Sequence, residues 1–273
     1  MGRLLRLDLR RAIKDKSVIV IFAITAAFAI AQVLLGILMK ITAGPVTLYL
    51  VTARSIIQAS FSFSSMPFLL IVILIAVFVG KDLNFGTIRN KIIAGYSKKQ
   101  IYFAHLLISL IMATAAMLLY QAIVYVTGIG LITFPTTNLN DFFIRLGLGY
   151  LVVWTAISIT VFIEMMSKSM VTAIIVSVIL FLFLPLISGG LSIYFTADAF
   201  VRGVTDVRSP ILEYFYFYQA YAIPNGNVVA VILGEPDSQL SAAFIWKTLG
   251  VNLVMLGGLN YLGMYLFPKT DLK

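Results

Sequence analysis

Residues 68–78 read Phe68-Leu69-Leu70-Ile71-Val72-Ile73-Leu74-Ile75-Ala76-Val77-Phe78, apolar at every position. A strand of a membrane barrel alternates lipid-facing and lumen-facing residues in segments of about ten, and this run does not alternate. It lies inside the longer stretch 55–80, which contains no Asp, Glu, Lys or Arg. A helix needs roughly 20 apolar residues to cross a hydrocarbon core of about 30 Å. The stretch is long enough, so a membrane-spanning helix is predicted here.

The same reading extends to the rest of the 273 residues. Charge-free runs also cover 17–39, 100–140, 146–163, 169–197, 214–234 and 248–268. The run 100–140 loses its apolar character at Pro135-Thr136-Thr137-Asn138, and 214–234 is broken by the turn signal Pro224-Asn225-Gly226-Asn227. Six spans are predicted, at 17–39, 60–81, 100–131, 141–165, 169–188 and 245–267. The fold class is therefore all-α, a polytopic integral membrane protein forming a single transmembrane domain over 1–273. Composition agrees. Apolar residues make up 61% and charged residues 11%, where a soluble domain has about 25% charged, and mean hydropathy is +1.02. A soluble enzyme and a disordered chain are excluded, and the absence of cysteine excludes a disulfide scaffold and thiolate chemistry. Small residues such as Gly147, Gly149, Gly257 and Gly258 are expected to let helices approach closely.

The first apolar run is longer than the 7–15 residues of a signal-peptide core, so it reads as a retained span. Met1-Gly2 lacks the Ser or Thr that myristoylation wants at position 6, where Arg6 stands. With six spans both termini share one side. Fourteen of the twenty Lys and Arg fall on that side, with five of the eleven acids. The positive-inside rule makes it the cytoplasmic side, and the basic balance reflects topology and anionic membrane lipid rather than nucleic acid. Residues 1–16 form an amphipathic segment. Leu5, Leu9, Ala12 and Ile13 share one helical face, and Arg3, Arg6, Arg10 and Lys14 the opposite one. An interfacial helix is predicted, either a plain anchor or one that also touches a cytoplasmic partner.

Much chemistry is missing. No Gly-x-x-x-x-Gly-Lys-Ser/Thr loop is present to cradle a nucleotide, and His105 is the only histidine, so no multi-histidine metal site exists. No Gly-x-Ser-x-Gly elbow occurs. Ser188-Gly189-Gly190-Leu191 reads as a helix-ending turn. The predicted spans carry almost no ionisable groups, whereas ion-coupled carriers place them near the bilayer midplane. Asp82 and Glu164 sit at span ends, and Glu164 can pair with Lys168 four residues on.

The most structured motif is the loop 82–99 and its flanks, Gly80-Lys81-Asp82-Leu83-Asn84-Phe85-Gly86-Thr87-Ile88-Arg89-Asn90-Lys91-Ile92-Ile93-Ala94-Gly95-Tyr96-Ser97-Lys98-Lys99-Gln100. Gly86 can end the preceding helix in a left-handed conformation, and Thr87 can cap the next one. Residues 87–94 make two turns, with Ile88 and Ile92 on one face and Thr87 and Lys91 on another. Gly95 stops them, and Ser97 with Gln100 has the form of a capping box that starts span three. A short cytoplasmic helix across the mouth of two spans is predicted, the plain alternative being a surface turn.

These residues resemble the type-2 ABC exporter permeases, bacterial relatives of the ABCG half-transporters. That family carries an acid at the end of span two, Gly-Thr four residues on, a short helix, Ser-Arg, and a basic residue early in span three. The matching positions here are Asp82, Gly86, Thr87, Ser97, Lys98 and His105, with Asp in place of Glu, Lys of Arg and His of Lys. The resemblance implies a pathway formed by two permease copies, identical or paralogous, in the bacterial cytoplasmic membrane. A separate ATPase chain would bind ATP and Mg, the permease itself being no enzyme and holding no cofactor. It also implies a coupling site at Asp82, Gly86, Thr87, Ile88, Arg89, Lys91 and Ile92, with Ile88 and Ile92 entering a groove on the ATPase. The family's substrate path between spans two and five would fall on Phe61, Phe63, Met66, Phe68, Phe181 and Phe183. The expected substrate is hydrophobic or amphipathic, a peptide toxin or bacteriocin first and a lipophilic drug next. Residues 189–244 are expected to be external, with two short helices dipping into the outer leaflet or a plain aromatic belt. Two other classes stay open, a non-transporting membrane protein that docks a cytoplasmic regulator and an ion-coupled carrier.

Overall fold

The fold was examined in a computed structural model. It describes residues 2–43, 46–49, 51–63, 65–131, 139–167, 169–202, 214, 216, 218–219, 223 and 242–269. The chain is helical. In order come α1 (Gly2–Lys14), α2 (Lys16–Leu38), strands β1 (Lys40–Ala43) and β2 (Val46–Tyr49), then α3 (Ala53–Ala59), α4 (Met66–Asn84), α5 (Thr87–Ile93), α6 (Lys98–Leu131), α7 (Leu139–Met166), α8 (Met170–Arg202) and α9 (Ala242–Leu266). The two strands form one short antiparallel pair with Lys40 opposite Tyr49, between the first two predicted spans.

Five helices are long and apolar enough to cross a membrane: α2, α4, α6, α7 and α9. Each coincides with a predicted span. The span predicted at 169–188 falls in α8, whose described apolar part Met170–Phe183 is shorter. Ser188-Gly189-Gly190-Leu191 does not end that helix, which runs on to Arg202. A glycine inside a helix costs only about 1 kcal/mol relative to alanine, so it need not stop an apolar helix. Residues 203–213 and 224–241, where most of the predicted external loop and its turn fall, lie outside the described residues.

Helix α4 is the centre of the bundle and packs against α8, α7, α2 and α6. Its apolar stretch is 61% buried, against 28% for α2 and 17% for α9, so those two are peripheral. Lipid is as apolar as leucine, so polar side chains and close approach supply much of the specificity between such helices. Tyr150 donates to Gln121 Oε1 at 2.7 Å, and Gln121 Nε2 donates to Ser60 Oγ at 3.3 Å, linking α7, α6 and the end of α3. Asn260 on α9 donates to Ser158 Oγ on α7 at 3.3 Å. Close approach is real at Gly149, where any Cβ would meet the Phe61 ring at 2.5 Å. Among the described residues nothing approaches within 4 Å of the Cβ position at Gly147, Gly257 or Gly258.

The aromatic residues expected along a substrate path turn inward. Phe61, Phe63, Phe68 and Phe181 are buried. Phe63 lies 4.8 Å from Phe68 and 5.3 Å from Phe181, ring centre to ring centre, and 5.4 Å from Tyr216. Edge-on and tilted rings at these separations fill volume that an aliphatic core would leave open. These four residues belong to the buried core of this chain. Met66 and Phe183 alone of the six are exposed.

Candidate functional site

The site is assembled at one end of the bundle around Asp82, in the last turn of α4. Its carboxylate is 1% exposed and takes donors from three other elements. Oδ1 accepts from Thr87 Oγ1 at 2.7 Å and from the Arg11 guanidinium. Oδ2 accepts from Lys91 Nζ at 2.9 Å and from His105 Nε2 at 2.7 Å. A carboxylate has about four lone-pair positions, so Asp82 is saturated. The other ring nitrogen of His105 faces the Ile101 carbonyl at 2.9 Å. Both nitrogens therefore point at oxygens. One acid thus joins α1, α4, α5 and α6.

The second ring of ion pairs comes from α1. Lys91 also reaches Asp8 Oδ1 at 2.8 Å. Lys81 binds both oxygens of Asp15, at 2.7 and 2.9 Å, and donates to Ser17 Oγ at 2.9 Å. Asp15 caps α2 by accepting from the Ser17 amide at 2.8 Å. Burial works against the Asp15 charge, but the Lys81 ammonium and the Ser17 amide outweigh it and hold the carboxyl below its usual range. The Arg11 guanidinium lies over the Phe78 ring at 4.7 Å.

These contacts fix how α1 is turned. Leu4, Asp8 and Ala12 are its buried residues, with Arg11 and Asp15 on the same stripe. The apolar face of Leu5, Leu9, Ala12 and Ile13 therefore does not all turn into the bundle. Ala12 is buried, while Leu9 and Ile13 are 37% and 66% exposed. Ion pairs to Asp82 and Lys91 select the turned-in side, and the apolar side faces outward. The spacing of Asp8 and Asp15, two acids seven residues apart in a basic segment, was the signal for this stripe.

Helix α5 is held between two left-handed glycines, Gly86 with φ +65 and Gly95 with φ +90. The Gly86 backbone stands at the N-cap with no side-chain cap. Thr87 does not cap, because its hydroxyl is directed back to Asp82, with the Asp82 carbonyl also 3.1 Å away. The orientation of α5 is the reverse of the expected one. Ile88 is 2% exposed and belongs to the core, and Ile92 packs against that core. Lys91 must turn inward to reach Asp82 and Asp8, and it carries its helical neighbours Ile88 and Ile92 with it. The outward side presents Phe85, 77% exposed, and Ile93, 84% exposed, with Arg89 and Asn90 also exposed. After Gly95, Ser97 and Gln100 form the predicted reciprocal box, with the Ser97 amide to Gln100 Oε1 at 3.1 Å and the Gln100 amide to Ser97 Oγ at 3.3 Å. Lys98 Nζ donates to the Pro268 carbonyl at 3.0 Å, which ties the start of α6 to the end of α9.

Of the remaining predicted residues, Glu164 is fully buried, and neither carboxylate oxygen has a hydrogen-bond partner among the described residues. It lies beside Gly80, where a Cβ would be 3.4 Å from Oε2. Helix α7 ends at Met166, and Lys168, the expected partner of Glu164, lies outside the described residues. At the far end of the bundle Arg145 donates to Asp141 Oδ2 at 2.6 Å, and Arg54 lies 3.7 Å from the same oxygen. Beside them opens a cleft of about 770 Å³, lined by Ile57, Leu118, Ala122, Phe143 and Leu146 with Gln121 as a polar group. Among the described residues no group of three or more His, Cys, Asp or Glu could hold a metal ion. Comparison of the chain with known families, curated proteins and solved structures finds no match.

Proposed function

We propose that this chain is the transmembrane permease subunit of an ATP-driven exporter of the type-2 ABC kind, energised by a separate ATPase chain. The observation that carries the reading is α5. Its inner side is fastened to Asp82 through Lys91, while Ile93 on its outer side and Phe85, at the end of α4 just before it, are exposed. Large apolar side chains at a membrane protein's polar end suit a protein contact. A helix that is fastened to the spanning helix α4 and to α1, and exposed on its outer side, can pass a push from a partner into the bundle. The docking anchors are Phe85 and Ile93 with Arg89 beside them, and Ile88, Lys91 and Ile92 hold the helix in place.

The rest of the reading follows the charge pattern. Helix α8, 33 residues long, reaches about 50 Å at 1.5 Å per residue and serves as the fifth of six spans. Both termini, α1 and α5 are then cytoplasmic, in a bacterial inner membrane. Two copies of the chain, or this chain and a paralogue, form the pathway with two ATPase chains. The substrate is hydrophobic or amphipathic, a peptide toxin or bacteriocin first and a lipophilic drug next. The apolar cleft beside Gln121 has a volume in the range of small-ligand sites.

The test is reconstitution. The purified chain alone should not hydrolyse ATP. With the ATPase encoded beside it, two copies of each should co-purify and export a hydrophobic peptide from vesicles in an ATP-dependent way. ATP hydrolysis by the contaminant-free chain alone would refute the reading.

A further inference from the structure

Helix α1 has three sides. One is stitched inward through Asp8 to Lys91, Arg11 to Asp82 and Asp15 to Lys81. The next holds the exposed Leu9 and Ile13. The third carries Arg3, Arg6, Arg10 and Lys14, all exposed and with no ion pair or hydrogen bond among the described residues. These cations recur at three- and four-residue spacing and form one line along the helix.

The level of α1 says what this line meets. Asp15 closes α1 and at once caps the spanning helix α2, and its partner Lys81 lies three residues before the end of α4. The helix therefore lies across the ends of the spans, at headgroup depth. Exposed leucine and isoleucine beside a row of arginines match a bilayer surface, apolar boundary on one side and phosphate on the other. An acidic protein would satisfy the cations but has no need of Leu9 and Ile13 at that depth.

We infer that the Arg3–Arg6–Arg10–Lys14 line binds the headgroups of anionic phospholipid, and that this contact sets the position of α5 through the inward ion pairs. Lipid holds α1 flat. The flat helix presents Asp8 to Lys91 and Arg11 to Asp82, so α5 is held more firmly when the membrane carries negative charge. This rests on the spanning helices and the ion pairs alone, and not on the identity of any partner chain.

The full chain, without any ATPase, is placed in nanodiscs of phosphatidylcholine alone or with phosphatidylglycerol, and backbone hydrogen exchange is followed. In anionic discs exchange in residues 2–14 and in 87–94 should slow by at least about tenfold, since each basic group near an anionic surface adds roughly a factor of five. Half-molar salt should reduce the difference. Changing Arg3, Arg6, Arg10 and Lys14 together to Gln should abolish it in both segments. Changing the three arginines to Lys, which keeps the charge, should preserve it and controls for folding. Asp8→Asn should leave the response of α1 and weaken that of α5. Equal exchange in the two lipids, a response of α1 without α5 in the parent chain, or protection that appears only when an acidic protein is added in neutral discs would each overturn the inference.

Discussion

Lys91 Nζ lies 2.9 Å from Asp82 Oδ2, and both side chains are largely buried. Nine residues separate them in sequence, with Gly86 in its left-handed turn between. The pair folds the short helix α5 back onto the end of α4, so the side of α5 that bears Lys91 faces the bundle. Everything that the helix can offer to a partner is set by that contact. The cost of removing an acid from such a place is large, because its cations stay behind.

Asp82→Asn should destabilise the chain by roughly 3–5 kcal/mol, the range for breaking one side of a buried ion pair. Thermal unfolding in detergent, followed by loss of the monodisperse peak, measures it. Lys91→Met should also be costly, because Asp82 keeps His105, Thr87 and Arg11 but buried Asp8 loses its Lys91 partner. A tolerance of Asp82→Asn equal to that of an exposed change would mean the hub is not formed.

Ile88 and Ile93 should behave oppositely. Ile88→Ala removes buried methyl groups and should cost about 2–5 kcal/mol. Phe85→Ala and Ile93→Ala remove exposed groups and should shift stability by no more than about 0.5 kcal/mol. The same unfolding assay ranks all three, and the reverse order would restore the opposite orientation of α5.

Asp15 makes a pH-dependent contribution of known sign. Its folded carboxyl titrates below the ordinary value of 3.8, so its stabilising effect is complete above that value and is lost as pH falls through the lowered one. The stability difference between the parent and Asp15→Asn should be full at neutral pH and shrink in acid below 3.8. A difference that grew on acidification would contradict the Lys81 pairing.

Gly149→Ala places a methyl group against the Phe61 ring and should cost roughly 1–3 kcal/mol as an overpacked contact. Gly147→Ala meets open space and should be neutral, or stabilise by up to about 1 kcal/mol through helix propensity. The two positions lie two residues apart on α7 and serve as mutual controls in an unfolding assay.

The spans were legible because the membrane leaves little choice. A run such as 68–78 can satisfy its backbone in hydrocarbon only as a helix, and its helix was found within a few residues. Gly86, Gly95 and the Ser97–Gln100 box were legible because each acts locally. Asp82, Thr87, Lys91 and His105 were picked out as a motif, but their convergence on one carboxylate depends on how α4, α5 and α6 pack. Asp8, Arg11 and Asp15 were missed because the row of arginines dominates the pattern of α1, while partners far along the chain decide which side turns inward. Ile88 was placed on the wrong side for the same reason, since periodicity pairs it with Ile92 without saying which way the pair points. Phe61, Phe63, Phe68 and Phe181 look the same in sequence whether they line a path or fill a core.

The outer side of α5 can be tested where it stands. A photoreactive amino acid is placed at position 93, facing out, or at position 92, facing the core, and native membranes are irradiated. Position 93 should crosslink to a chain without spans of its own that binds ATP when isolated, and position 92 should not. Crosslinking at 92 but not at 93, or a position-93 product that does not bind ATP, would contradict the proposed coupling of this helix to a separate ATPase.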